Sequence, residues 1–278
     1  PLLAMWQKTY GADATAAFLP YINGRAPLFL VPNPLFVTPG QLQEMLANEG
    51  VQARLLPEKV LTVDDGFDVE RSAAFQKGYF HVQDLSCYLA CAALQVRPGQ
   101  TVLDVCAAPG GKAIHIAELL NGTGHVEARD LTEYKVALIR DNIERSGLTN
   151  INAVCQDAAI YDPHKKETAD IVIADLPCSG LGVLGKKPDL RYKMNEKTEA
   201  DLVELQKKIL AVVKDYVKPG GKLLYSTCTI HREENEGNVE WFLKEYPEFE
   251  LVKEKQMIPG RDAGDGFYIA ILKRVNHE

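Results

Sequence analysis

From about residue 66 onward the chain alternates short runs of β-branched and other apolar residues with longer amphipathic stretches, and this rhythm constrains its fold more than any other feature. Strands read at 101–105 (TVLDV), 125–130 (HVEARD), 151–157 (INAVCQD), 170–175 (DIVIAD), 221–228 (GKLLYSTC), 249–252 (FELV) and 267–273 (FYIAILK). Helices read near 84–95, 112–120, 132–146, 198–217 and 233–245. Parallel neighbours need a crossover long enough to hold a helix, so the pattern predicts an α/β fold with a Rossmann-like, seven-stranded doubly wound sheet. Turn residues agree with the division: Pro98-Gly99 precedes the first of these strands and Pro219-Gly220-Gly221 the fifth.

The first 65 residues have another texture, with Pro20, Pro27, Pro32, Pro34 and Pro39 and one clear helix at 39–49. They predict a small α+β subdomain over 1–65, joined at the acidic stretch Asp64-Asp65-Gly66 to a larger domain over 66–278. The opening LLAMWQKTY reads as a helix entered part-way, so the chain is expected to be a piece of a longer protein.

No stretch approaches the roughly 18 to 20 uninterrupted apolar residues of a membrane span, and no signal pattern opens the chain. A cytoplasmic monomer with no membrane partner is the expectation. Six cysteines are scattered over a chain too long to need disulfide staples. Cys87 and Cys91 sit four apart in a helical pattern and read as small core residues, and no metal site is expected. The net charge of −7 argues against a sequence-independent nucleic-acid binder. Yet Lys186, Lys187, Arg191, Lys193 and Lys197 crowd into one segment, which reads either as a local phosphate contact or as a solvated lysine-rich loop.

The segment TVLDVCAAPGGKAIHIAELL is strand, small-residue loop and helix, an arrangement that lets a ligand approach backbone amides at a helix N-terminus. The loop alone is not specific, since simple tight packing and a nicotinamide cofactor both use such a corner. Three acids at successive strand ends narrow the choice: Asp130, Asp157 and Asp175. Ligands of open α/β sheets bind beyond the carboxyl ends of the strands, where all three would converge. Asp130 is placed to accept ribose hydroxyls, although N-capping of helix 132–146 competes for it.

Strand 170–175 runs into Asp175-Leu176-Pro177-Cys178-Ser179-Gly180, and strand 221–228 ends in Ser226-Thr227-Cys228. From residue types alone, two buried structural cysteines remain the plainer reading. A wider set of motifs carries a resemblance: HVQD at 81–84, DVCAAPGGK at 104–112, DLPCSG at 175–180, KPD at 187–189, STCT at 226–229 with Glu233-Glu234-Asn235 behind it, and DGFYIA at 265–270. With these the chain resembles the RsmB/Sun family of RNA cytosine-5 methyltransferases, and most of all its bacterial small-subunit ribosomal RNA enzymes. The likeness covers the chain from about residue 66, while the first 65 residues are more loosely similar to the family's small RNA-binding subdomain. LFLVPN at 28–33 lacks the arginine-x-asparagine of that subdomain, and Leu176, Leu181 and Gly185 depart from the usual pattern.

The resemblance implies the seven-stranded S-adenosylmethionine-dependent methyltransferase fold, with the cofactor held by Cys106, Ala107, Ala108, Pro109, Gly110, Gly111 and Lys112 together with Asp130, Asp157 and Asp175. It implies RNA as the partner, Cys228 as nucleophile and Cys178 as the thiol that assists release. Cys106 is expected to be structural within its loop. Carbon 5 of cytosine is too electron-poor to attack a methyl sulfonium until a nucleophile adds at carbon 6, and a thiolate suits that task. Lys112 is a candidate to favour the Cys228 thiolate, and Asp175, when protonated or sharing a proton with N3, to stabilise charge on the ring. Other readings are a non-catalytic RNA-binding assembly factor, a transfer-RNA methyltransferase and a nicotinamide-dependent oxidoreductase.

Overall fold

Strands that are apolar on both faces must be covered on both, and the central strands here satisfy that demand. The computed structural model describes residues 2–275 apart from Arg25, Asp65, Met194 and Ala263, and says nothing of the Lys193 and Glu196 side chains. Asp65, in the expected boundary, therefore lies outside the described residues. In chain order the elements are α1 (Leu2–Tyr10), α2 (Ala12–Asn23), β1 (Leu28–Pro32), α3 (Pro39–Asn48), β2 (Ala53–Leu55), β3 (Leu61–Val63), α4 (Ala73–Gln76), β4 (Phe80–Val82), α5 (Leu85–Ala93), β5 (Thr101–Asp104) and α6 (Gly111–Leu119). They continue with β6 (His125–Asp130), α7 (Glu133–Ser146), β7 (Ile151–Cys155), β8 (Ala169–Asp175), α8 (Leu190–Lys193), α9 (Glu196–Val213), β9 (Val217–Thr227), α10 (Glu236–Glu245), β10 (Phe249–Met257) and β11 (Phe267–Arg274). The predicted seven-stranded sheet is present, in the order β10-β11-β9-β8-β5-β6-β7. It is mixed, because β11 runs antiparallel to both β9 and β10.

By packing, the chain separates into two units, 27–157 and the combination of 1–26 with 158–278. In the first, β2-β3-β1-β4 form an antiparallel sheet whose apolar face joins Leu30, Leu61, Val63 and Phe80 to Leu42 and Leu46 of α3. Thr38 starts α3 with a capping box shared with Gln41, and Pro39 at the first turn needs no N–H partner. The same unit holds the parallel strands β5, β6 and β7. Helix α7 is capped by Thr132 and ends at Gly147, whose φ of 70° suits glycine.

In the second unit β8 and β9 are parallel. Ile171, Val172, Ile173 and Ala174 of β8 are all buried, and each of the larger side chains contributes about 1.5–3 kcal/mol of hydrophobic stabilisation. Helices α1 and α2 belong here: Trp6, Phe18 and Ile22 pack with Leu181, Leu184, Ile230 and Ile258.

Helices read at 198–217 and 233–245 run instead over Glu196–Val213 and Glu236–Glu245, and three strand boundaries differ for identifiable reasons. Pro219-Gly220-Gly221 does not precede a strand but lies inside β9, where pairing jumps from Ala169–Val217 to Ile171–Lys222. Gly220, at φ 78°, absorbs the extra residues as a bulge. Strand β7 stops at Cys155, so Asp157 lies two residues beyond it rather than at its end. Strand β10 runs on to Met257, because the exposed charged residues of an antiparallel edge carry none of the apolar signal that marks buried strands.

Candidate active site

Unit 27–157 holds the glycine loop. Strand β5 delivers the chain to Val105, and α6 begins at Gly111 with Gly110 as its cap in the left-handed region at φ 111°. That backbone angle calls for glycine, while a Cβ there would make ordinary contact with Ile139 at 3.4 Å. The loop is tied down from inside. Ala107 N–H donates to the Arg129 carbonyl (2.8 Å) and Gly110 N–H to the Ala107 carbonyl (2.7 Å). Asn142 Nδ2 donates to the Pro109 carbonyl (2.9 Å), and the Ala108–Pro109 peptide is cis.

Asp130, at the end of β6, is buried and supports this loop directly. Its Oδ2 accepts from Ala108 N–H (3.0 Å), and its Oδ1 accepts from Leu131 N–H (2.8 Å) and pairs with Lys135 Nζ (3.1 Å). Capping of α7, the competing role, falls instead to Thr132, which accepts from Lys135 N–H. An ionised carboxylate has about four acceptor sites, so three donors leave capacity for one more, and the half-exposed Lys135 is free to swing into solvent. Cys106 is half-buried, Ala107 buried, Pro109 exposed and Lys112 half-buried. The Lys112 charge bears on Cys91 of α5, whose thiol is pushed up by burial against the pull of that ammonium. Asp157 is half-buried in the loop after β7.

Unit 1–26 with 158–278 holds the thiols. The carboxyl end of β8 delivers Asp175, and the neighbouring end of β9 delivers Thr227 just before Cys228. Cys178 Sγ and Cys228 Sγ lie 3.3 Å apart although separated by fifty residues. The Cys178 thiol is raised well above its ordinary range, first by its hydrogen bond with Cys228, then by burial, and then by the negative charge of Cys228 and Glu234. Either sulfur can donate in this contact. Beside them Ser226 Oγ donates to Asp175 Oδ1 (2.7 Å). Leu176 N–H donates to the Ser226 carbonyl (3.1 Å) and Gly182 N–H to the Cys228 carbonyl (3.0 Å), which holds the Cys178 loop over the strand end.

Residues outside the expected set complete the thiol site. Glu234, Asn235, Gln206 and Asn238 are all fully buried around the two cysteine segments. Glu234 and Asn235 stood in a quoted motif without a role; nothing in the local sequence marks Gln206 or Asn238, which lie on the apolar side of α9 and α10. In the basic segment, Arg191 is engaged with the Pro188 carbonyl and Asn23, and Lys186 with Asp265, while Lys187 and Lys197 are exposed. Among the described residues no group of three or more His, Cys, Asp or Glu is placed to hold a metal ion, and no helix is long and apolar enough to cross a membrane.

The sequence matches the family model for 16S rRNA methyltransferase RsmB/F over residues 91–273, well over half of its 278 residues. The chain belongs to the RsmB/F family. It is 34% identical to the probable ribosomal RNA small subunit methyltransferase B of Bacillus subtilis, covering 98% of this chain and 65% of that protein. The chain thus spans about two thirds of that curated relative. The crystal structure of PH0851 matches with a TM-score of 0.93 at 32% identity, over 98% of this chain and 65% of that one. The crystal structure of NSun6 from Pyrococcus horikoshii with SFG matches with a TM-score of 0.88 at 21% identity, over 99% of this chain and 98% of that one, a likeness of fold. The RsmB/F match and these structures establish the S-adenosylmethionine-dependent methyltransferase fold.

Proposed function

We propose that this RsmB/F chain transfers a methyl group from S-adenosylmethionine to carbon 5 of a cytosine in RNA, small-subunit ribosomal RNA being the substrate, through a covalent bond between Cys228 Sγ and carbon 6. The observation that carries the reading is the approach of the two thiols to 3.3 Å beside Asp175, which Ser226 holds at 2.7 Å.

The loop fits the cofactor: Gly110 turns the chain into α6 at a φ only glycine adopts readily, and the buried Asp130 has acceptor capacity left for a ribose hydroxyl. Residues 106–112 with Asp130 and Asp157 would hold it, the α6 N-terminus lending its positive dipole end. When bound, S-adenosylmethionine supplies the electrophilic methyl group. Cys228 attacks carbon 6 as thiolate, and the ring becomes a carbon-5 nucleophile. Asp175, oriented by Ser226, shares a proton with ring N3 and so offsets the negative charge that thiolate addition puts on the ring. After transfer, the carbon-5 proton leaves to a base, the ring double bond reforms and Cys228 is expelled. Cys178 assists that release by returning a proton to the departing sulfur. The target base has to be unstacked to reach the thiols. Residues 1–65 are proposed to help hold the RNA.

Replacing either thiol tests the reading. Cys228→Ala should abolish methyl transfer and any covalent link to RNA. Cys178→Ala should still form the bond and stall, so that a denaturation-resistant protein–RNA adduct builds up when S-adenosylmethionine is supplied. Labelled RNA on a denaturing gel reads both. Adduct from the Cys228 variant and none from the Cys178 variant would reverse the two roles.

A further inference from the structure

Both peptide groups that flank Cys178 are gripped by one buried pair of side chains. Gln206 Nε2 donates to the Pro177 carbonyl (2.8 Å), and the Glu234 carboxylate accepts from Ser179 N–H at Oε2 (2.9 Å). The two grips are linked, because Gln206 Nε2 also donates to Glu234 Oε2 (2.9 Å). Gln206 is in turn fixed by Asn238 Nδ2, which donates to its Oε1 (2.7 Å), and Tyr225 Oη donates to the Glu234 carbonyl. On the other thiol, Asn235 holds both neighbours: its Oδ1 accepts from Thr227 Oγ1 (2.5 Å) and its Nδ2 donates to the Thr229 carbonyl (3.1 Å). A hydroxyl pair, Ser179 and Thr229 at 2.8 Å, joins the two segments next to the thiols.

A fully buried carboxylate is costly to fold, and an apolar or amide side chain would fill the same space at lower cost. His231 offsets part of that cost: its Nδ1 is 3.5 Å from Glu234 Oε1 and its Nε2 3.7 Å from Glu199 Oε2. Burial pulls the His231 pKa down, but Glu234 and Glu199 outweigh it and leave it raised. The charge of Glu234 also bears on Cys178 and helps keep it a thiol.

We propose that Glu234 is the positioning residue of the release thiol: with Gln206 its carboxylate clamps the peptide groups on both sides of Cys178, so that this thiol stays opposite Cys228 while the methylated base leaves. The inference rests on the assignment of the thiols made above. Glu234 touches neither substrate nor cofactor; it acts through Cys178.

The test uses the full-length enzyme with labelled substrate RNA and S-adenosylmethionine, and compares Glu234→Ala, Glu234→Gln and Gln206→Ala with Cys178→Ala. Glu234→Ala should lower kcat at least tenfold and leave kcat/KM for S-adenosylmethionine within twofold, because only the step after methyl transfer is slowed. It should also accumulate a denaturation-resistant adduct, as Cys178→Ala does. Glu234→Gln keeps an acceptor for Ser179 N–H and should restore kcat to within threefold of the parent without adduct. If Glu234→Ala does not fold, Gln206→Ala, which releases the Pro177 carbonyl, carries the same expectation of lost kcat with adduct. Full turnover of Glu234→Ala overturns the inference, as does loss of kcat without adduct, or a glutamine variant as impaired as the alanine. Failure of Cys178→Ala itself to trap RNA overturns the reading of the thiols, and the inference falls with it.

Discussion

Asp130→Ala separates two jobs that one carboxylate performs. The side chain is buried and accepts from Ala108 N–H and Leu131 N–H while pairing with Lys135. Alanine leaves both amides without that acceptor. Leu131 is exposed and its N–H finds water, whereas Ala108 is half-buried in the loop, so one orphaned donor dominates at about 1–2 kcal/mol. The Lys135 pair, half in solvent, adds under about 1 kcal/mol. For a protein of this size that sum lowers the melting temperature by roughly 2–8 °C. If Asp130 also holds the cofactor ribose, S-adenosylhomocysteine should bind more weakly by about 1–3 kcal/mol, roughly 5- to 150-fold in Kd by titration calorimetry. Asp130→Asn keeps an acceptor for Ala108 N–H; it should recover most of the melting temperature but only part of the affinity. Unchanged Kd in the alanine variant would remove Asp130 from the cofactor site. Full recovery of affinity by asparagine would make it a loop clamp alone.

His115, buried on α6 and stacked on Tyr88 at 4.6 Å, has its pKa lowered to about 3 by burial and by His81. It is neutral in the fold and protonates first in the unfolded chain, so stability is unaffected above about pH 6.5 and falls as pH drops below it, at about 1.4 kcal/mol per unit. Urea midpoints between pH 7 and 5 should show this slope in the parent and a shallower one in His115→Phe; equal slopes would dismiss His115 as the source. Neutralising the exposed Lys187 together with Lys193 should flatten the salt dependence of RNA binding by about 1.4 in log–log slope, at about 0.7 per single-strand phosphate contact. Lys186 should contribute less, since Asp265 already pairs with it at 2.6 Å. An unaltered slope would leave the segment a solvated loop.

What the sequence by itself determined was everything that local rhythm records. Burial on two faces writes apolar runs, and turns and caps write glycine, proline and threonine, so the seven strands, the loop at 105–110 and the acids at the ends of β6 and β8 were legible. The two cysteines were legible as a pair from the expected adjacency of the strands that lead to them and from motif resemblance. Where the signal was not local the reading slipped: the Pro219-Gly220-Gly221 bulge looks like any turn, and the charged edge strand β10 has no apolar pattern to betray its length. Tertiary structure alone decided the 3.3 Å approach of thiols fifty residues apart. It also decided that Asp130 supports a loop instead of capping a helix, and that Ser179 meets a carboxylate 55 residues away. The reason is that a hydrogen bond between distant segments depends on how strands are ordered and registered in the sheet. Nothing in the neighbouring residues of Gln206 or Glu234 encodes that order; it emerges only when the whole sheet has formed.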